Sequence, residues 1–265
     1  MPNALFPYRN ALVTGASSGI GEAICKALSR VGVDEVVLVA RRGAELERVA
    51  SSLSCKTRII VADLSTPKGI DAVIEGAGPV DLLVNNAGFG SFGRFHELDL
   101  DMELQMVAVN CRAPLALCGH FLPLMVQDGH GCVANIASGM SFQAMPYMST
   151  YAASKAFLLH WGEGVSEELR GTGVKLVTVC PGTIETNFST ASQVPVDEIL
   201  GVQLVTGTIE DVVDSTLNSI QHNHVVAVPG MLHRIVNWSG ALSPRWLVRR
   251  IMGWAMARTA RKLSG

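Results

Sequence analysis

The stretch Thr14-Gly15-Ala16-Ser17-Ser18-Gly19-Ile20-Gly21 sets the fold of this chain. A short apolar run, Ala11 to Thr14, leads into it, and an amphipathic pattern starting at Glu22 leaves it, so the glycines occupy a strand-to-helix turn. Glycine there lets the backbone approach a pyrophosphate closely, while the next helix offers N–H donors and the positive end of its dipole. Gly15, Ser17, Ser18, Gly19, Ile20 and Gly21 are therefore candidate cofactor-binding residues, in the structural context this pattern requires.

In dinucleotide-binding folds the second strand usually ends, about 20 residues further on, in an acid that holds the adenosine ribose. Here that place is taken by Ala40-Arg41-Arg42. A carboxylate would repel a 2′-phosphate, whereas guanidinium groups bind one through paired, charge-assisted hydrogen bonds. Arg41 and Arg42 thus point to NADPH/NADP+ over NADH, the alternative being arginines that only solvate a loop. Asp63, beside Leu64 after the third strand, is a candidate for the adenine amino group, with a helix cap before Pro67 as the alternative.

Further apolar runs follow at Glu35 to Val39, Thr57 to Val61, Asp81 to Val84, Cys132 to Ile136, Lys175 to Val179 and Val225 to Val228. Most are followed by helical periodicity, and they are too apolar to have a wet face. The fold class is α/β, a Rossmann-like doubly wound parallel seven-stranded sheet flanked by helices. Helices are expected near 19–31, 43–53, 68–77, 99–127, 150–170 and 208–220. Pro114 and Pro123 should interrupt or bend the fourth, with a break and then continuation expected. Residues 183–207 lack periodicity and are expected to form a mobile segment at the carboxyl edge of the sheet, where open α/β folds bind ligands.

The 265 residues are 48% hydrophobic and 17% charged, enough for a substantial core. Net charge is −2, which gives no overall electrostatic pull toward nucleic acid or an anionic membrane. The sum hides an asymmetry: residues 231–265 hold seven Lys and Arg and no acid, leaving residues 1–230 at −9. The expected division is a dinucleotide-binding catalytic domain at 1–230 and a basic, helical C-terminal extension at 231–265. That extension would pack on the body or a second subunit, or, less favoured, adsorb to a membrane through Trp238, Trp246 and Trp254. No segment is expected to span a membrane, and Met1 to Asn10 lacks the apolar core of a secretory signal. Six cysteines without a CxxC pair suit a cytoplasmic, reducing location and no metal site.

Tyr151 and Lys155 are four residues apart in a helical stretch, so both side chains share one face. A free phenol titrates near ~10, and bringing it to about 7 takes ~4 kcal/mol. One ammonium at ~4 Å in an effective dielectric of ~20 supplies roughly that much. The pair is a candidate proton donor and acceptor. Taken with Asn85-Asn86-Ala87-Gly88 after the fourth strand and Pro181-Gly182-Thr183-Ile184-Glu185-Thr186 after the sixth, the chain resembles the short-chain dehydrogenase/reductase family over residues 9–230.

The resemblance implies that Ser138 polarises a substrate carbonyl, Asn110 anchors a proton-relaying water, and Lys155 holds the nicotinamide ribose. Asn110, Ser138, Tyr151 and Lys155 would be the catalytic set. Asn86, Ala87, Gly88, Pro181, Gly182, Ile184 and Thr186 would join Tyr151 and Lys155 in binding the cofactor, with Ile184 and Thr186 on the carboxamide. The implied activity is NADPH-dependent reduction of a ketone or aldehyde, in a homodimer or homotetramer. The alternatives are alcohol oxidation by the same residues, or a dinucleotide-sensing regulator or scaffold. Tyr147 is a pocket-wall candidate and Ser141 a neighbour of the site. Met140, Met145 and Met148 suit an apolar pocket or an ordinary core equally well. His222 and His224 lack an acidic or thiol partner.

Overall fold

A computed structural model describes residues 6–184, 206–230 and 243–263. Seven parallel strands form one sheet: β1 (Asn10–Thr14), β2 (Glu35–Ala40), β3 (Lys56–Val61), β4 (Leu82–Asn85), β5 (Gly131–Ile136), β6 (Val174–Val179) and β9 (Val226–Ala227). Their order is β3-β2-β1-β4-β5-β6-β9. A separate parallel pair, β7 (Thr183–Ile184) with β8 (Thr206–Gly207), lies beside it. The order reverses between β1 and β4, which opens a crevice at the carboxyl ends of those strands.

Strand periodicity of two sends alternate residues to opposite faces, and both faces are buried. Val13, Val36, Leu38 and Val84 pack with Ile24 and Leu28 of α1 (Gly19–Val31) and Ile220 of α7 (Ile209–His222). Leu12, Val37, Val39 and Leu83 pack on the other side, with Val73 of α3 (Pro67–Gly76) and Leu117 and Phe121 of α5 (Ala113–Asp128). Local signals set the helix ends. Gly32 stops α1 with φ +90°, a left-handed conformation that glycine adopts without a Cβ penalty. Thr66 caps α3 by accepting from the Gly69 N–H, with Pro67 in the first turn. Short α2 (Gly43–Ala50) and long α6 (Ser149–Glu168) complete the body, and α8 (Arg245–Leu263) follows it.

One expectation fails at α4 (Leu100–Val107). No break occurs at the prolines; a π turn over Ala108–Arg112 joins α4 to α5, and Pro123 sits inside α5. The physical reason is that Pro114 has no N–H for the carbonyl four residues back, so the ladder widens to the longer π spacing instead of ending. The resulting Leu100–Asp128 run is long and apolar enough by composition to cross a bilayer, with mean hydropathy 1.2, against the expectation of no such segment. Met106, Asn110, Leu117, Phe121 and Met125 are buried along one face of it, while Leu100, Leu104, Leu115 and Leu124 are exposed on the other.

Candidate active site

The crevice begins at the end of β1. Thr14 Oγ1 donates to the Val84 carbonyl and accepts from the N–H groups of Asn86 and Ala87, fastening the glycine turn to the segment after β4. Asn86 Nδ2 donates to the carbonyls of Thr14 and Gly15 at 2.9 and 3.3 Å. Gly15 has φ +68°, and a Cβ there would lie 2.8 Å from Asn86 Nδ2, so this position requires glycine. Ser18 is the N-cap of α1, yet its side chain does not cap the helix. Its hydroxyl, with that of Ser17, accepts from Arg42 Nη2 at 3.1 Å, so no side chain at the N-cap occupies the first-turn N–H groups.

A cleft of about 510 Å³ runs from this turn past Arg41, Arg42, Asp63 and Leu64 to Asn86, Ala87 and Gly88, and ends at Tyr151 and Lys155. Asp63 Oδ1 accepts from the Ser65 N–H at 2.9 Å. That bond and the nearby Arg41 charge hold its carboxyl below the usual range. The helix-capping alternative belongs to Thr66.

At the far end α6 brings Tyr151, Ser154 and Lys155 to the carboxyl end of β5. Lys155 is 4% exposed and donates to the Ile136 carbonyl at 2.9 Å. Burial lowers its pKa from 10.5 to about 8. Tyr151 packs among Met106, Met145, Met148 and Met256, and this burial raises its phenol to about 12, opposed only by a hydrogen bond with Ser138. The expectation that Lys155 brings the phenol to neutrality is therefore not met. The ammonium is bound to a backbone carbonyl, 6.0 Å from the ring centroid, and desolvation wins. Ser138 Oγ accepts from the Met140 N–H, and the Ser138 N–H donates to Ser141 Oγ.

Asn110 lies in the π turn and is fully buried. Its Nδ2 donates to the Phe89 carbonyl at 3.0 Å and to Ser154 Oγ at 2.9 Å, and its Oδ1 accepts from the Phe89 N–H at 3.2 Å. Gly88 fits beneath: a Cβ there would stand 3.0 Å from Asn110 Oδ1 and 3.1 Å from Lys155 Nζ.

A family model described as short chain dehydrogenase matches residues 9–195. The chain belongs to the short-chain dehydrogenase/reductase family. It is an oxidoreductase of that type, acting on CH–OH and C=O groups. The ketoacyl reductase HetN of a Nostoc species is 30% identical over 256 residues, covering 93% of this chain and 88% of its own. A short-chain dehydrogenase of Sphingobium yanoikuyae, solved with NADPH, superposes with TM-score 0.78 at 28% identity over 88% of this chain and 93% of its own. A 3-ketoacyl-(acyl-carrier-protein) reductase of Brucella melitensis, solved with NADH, gives TM-score 0.74 at 26% identity over 85% and 96%.

Not every expected dehydrogenase residue meets in the cleft. Gly182 and Ile184 line a separate hollow of about 20 Å³ with Gly207, Thr208, Pro229 and Gly230, because the β7–β8 pairing holds that segment against the start of α7. Pro181 instead ties to the Ser138 turn, its carbonyl accepting from the Gly139 N–H at 2.6 Å. Thr186, most of the segment expected to be mobile, and Trp238 lie outside the described residues. Sequence reasoning missed Phe89, which clamps Asn110, although it directly follows Gly88. It also missed Met106 and Met256, which cover Tyr151 from distant helices with no local signal. Tyr147 belongs to the same cluster at φ +67°, stacked on Phe92 at 5.9 Å. Among the described residues no group of three or more His, Cys, Asp or Glu converges as a metal site.

Proposed function

We propose that this dehydrogenase reduces a ketone or aldehyde to an alcohol with NADPH, Tyr151 giving the proton to the carbonyl oxygen. The observation that carries this is the placement of Tyr151, hydrogen-bonded with Ser138 and beside Lys155, in a cleft that also contains two arginines after the second strand. The cleft has the volume of a small-molecule site, and its uncapped helix N-terminus suits a pyrophosphate. Gly15, Ser17, Ser18, Gly19, Ile20 and Gly21 would hold that group, Arg41 and Arg42 a 2′-phosphate, Asp63 and Leu64 the adenine. Asn86, Ala87 and Gly88 would floor the site, with Pro181, Gly182, Ile184 and Thr186 toward the carboxamide. When bound, the reduced dinucleotide supplies the hydride.

The chain's own residues do the rest. Ser138, oriented by the Met140 N–H, donates to the developing alkoxide. Tyr151 is neutral at physiological pH and so arrives loaded as a general acid. Lys155 holds the nicotinamide ribose, and Asn110 anchors the relay that returns a proton through Lys155. Phe89, Met102 and Val109 line the cleft that ends at Tyr151, which supports an apolar carbonyl substrate. Assembly as a homodimer or homotetramer in the cytoplasm belongs to the same reading, six unpaired thiols suiting a reducing compartment.

NADPH consumption across a panel of carbonyls tests the activity, and no turnover on any of them would favour a dinucleotide sensor. Tyr151→Phe should lower kcat at least about a hundredfold with dinucleotide affinity retained; a fully active variant refutes the role. Replacing Arg41 and Arg42 with Ala should raise KM for NADPH by about ten-fold or more while sparing NADH. An unchanged ratio refutes the 2′-phosphate contact.

A further inference from the structure

The basic end of the chain is gathered into α8, whose two sides differ. Met256 and Thr259 are each 1% exposed, and Met252 packs with Met256 in the cluster around Tyr151. On the opposite side Trp246, Ile251 and Trp254 are each more than half exposed, and Leu247 is exposed as well. At 3.6 residues per turn, Arg250, Arg258 and Arg261 fall on that same outer side. In steps of four the ridge runs Trp246, Arg250, Trp254, Arg258, and the Arg258 guanidinium lies 4.8 Å from the Trp254 ring centroid. No acid occurs anywhere in residues 231–265.

We propose that α8 seats the protein on an anionic membrane surface, its outer face lying in the headgroup layer. Stable adsorption needs two signals, and this face has both: cations for the lipid charge and amphipathic rings for the headgroup boundary. A second protein is the competing occupant, since arginine and aromatic rings also meet at protein interfaces, and the experiment below separates the two. Trp246, Leu247 and Trp254 each have an arginine one turn away, so no dry apolar centre forms on this face. A headgroup layer solvates guanidinium and indole together. Residues 1–230, at −9, are repelled by the same surface, so attachment is confined to the basic end and the Tyr151 cluster lies directly behind the attached helix.

The test is co-sedimentation of the full chain with phosphatidylcholine vesicles, with and without phosphatidylserine, read together with tryptophan emission. Binding should require phosphatidylserine, shift emission to the blue and fall as salt is raised. Replacing Arg250, Arg258 and Arg261 together with Ala should lower the partition by at least about ten-fold. Trp246→Ala with Trp254→Ala should also weaken it, and turnover of a soluble carbonyl should be unchanged in both variants. Circular dichroism checks that each variant is folded. Failure to pellet at low salt, or equal pelleting of the triple-arginine variant, overturns the proposal. So does vesicle-independent dissociation of an oligomer by the tryptophan pair, which would make this face a subunit contact.

Discussion

Replacing Lys155 with Met, in protein without added dinucleotide, measures what the buried ammonium costs the fold. Lys155 is 4% exposed, its Nζ donates to the Ile136 carbonyl, and its pKa falls from 10.5 to about 8. Below pH 8 both folded and unfolded chains carry the proton, and the full penalty is present. Between pH 8 and 10.5 the unfolded chain holds one more proton than the folded one, so unfolding free energy rises with pH, by about 1.4 kcal/mol per pH unit. The whole interval is worth about 3 kcal/mol, and above it both forms are neutral. Methionine has similar length and removes the penalty at every pH, but it leaves the Ile136 carbonyl unpaired, at about 1–3 kcal/mol. At pH 7 the variant should therefore match or exceed wild type in stability. From pH 8 to 10 wild type should gain on it by about 2–3 kcal/mol. Tyr151 stays protonated in both folded proteins across this range, its phenol being raised to about 12. Urea unfolding at pH 7, 8, 9 and 10 gives the difference directly. A pH-independent difference, or a gap that moves the other way, refutes the assignment of Lys155 as a desolvated cation.

Two further substitutions probe the clamp around that lysine. Asn110→Ala orphans the Phe89 N–H and C=O and removes a donor to Ser154, so about 2–4 kcal/mol of stability should be lost, visible as a clearly lowered Tm. Gly88→Ala places a Cβ 3.0 Å from Asn110 Oδ1 and 3.1 Å from Lys155 Nζ, so kcat should fall at least about ten-fold with far-UV dichroism unchanged. Normal turnover in Gly88→Ala would mean that those two groups need not be fixed.

The seven strands of the main sheet were legible because strands buried on both faces read as continuous apolar runs; their register, Val13 beside Leu38 and Val84, was not. The Tyr151–Lys155 pair was legible because a four-residue spacing fixes a shared helix face. What could not be read depends on long-range packing. Nothing near Pro114 says whether the ladder ends or widens to a π turn. Nothing near Ile184 says that it pairs beside Gly207 and away from the main cleft. In α8 the usual amphipathic signal is absent because both sides carry apolar residues, Met252 and Met256 inward and Trp246 and Trp254 outward. The proton affinity of Tyr151 was misjudged for the same reason, since the methionines that desolvate it come from α4, α8 and the turn before α6.

That burial bears on the direction of the reaction. Suppose Lys155 leaves the Ile136 carbonyl and approaches the phenol oxygen to ~4 Å. At an effective dielectric of ~20 the attraction is worth about 4 kcal/mol, or about three pH units. Burial works against that attraction and holds the phenol above its ordinary range. Reduction of a carbonyl consumes a proton at this position, whereas alcohol oxidation needs the phenolate to take one up. The same pair serves both directions, and a phenol raised by burial predicts that the oxidative rate rises relative to the reductive rate as the pH increases.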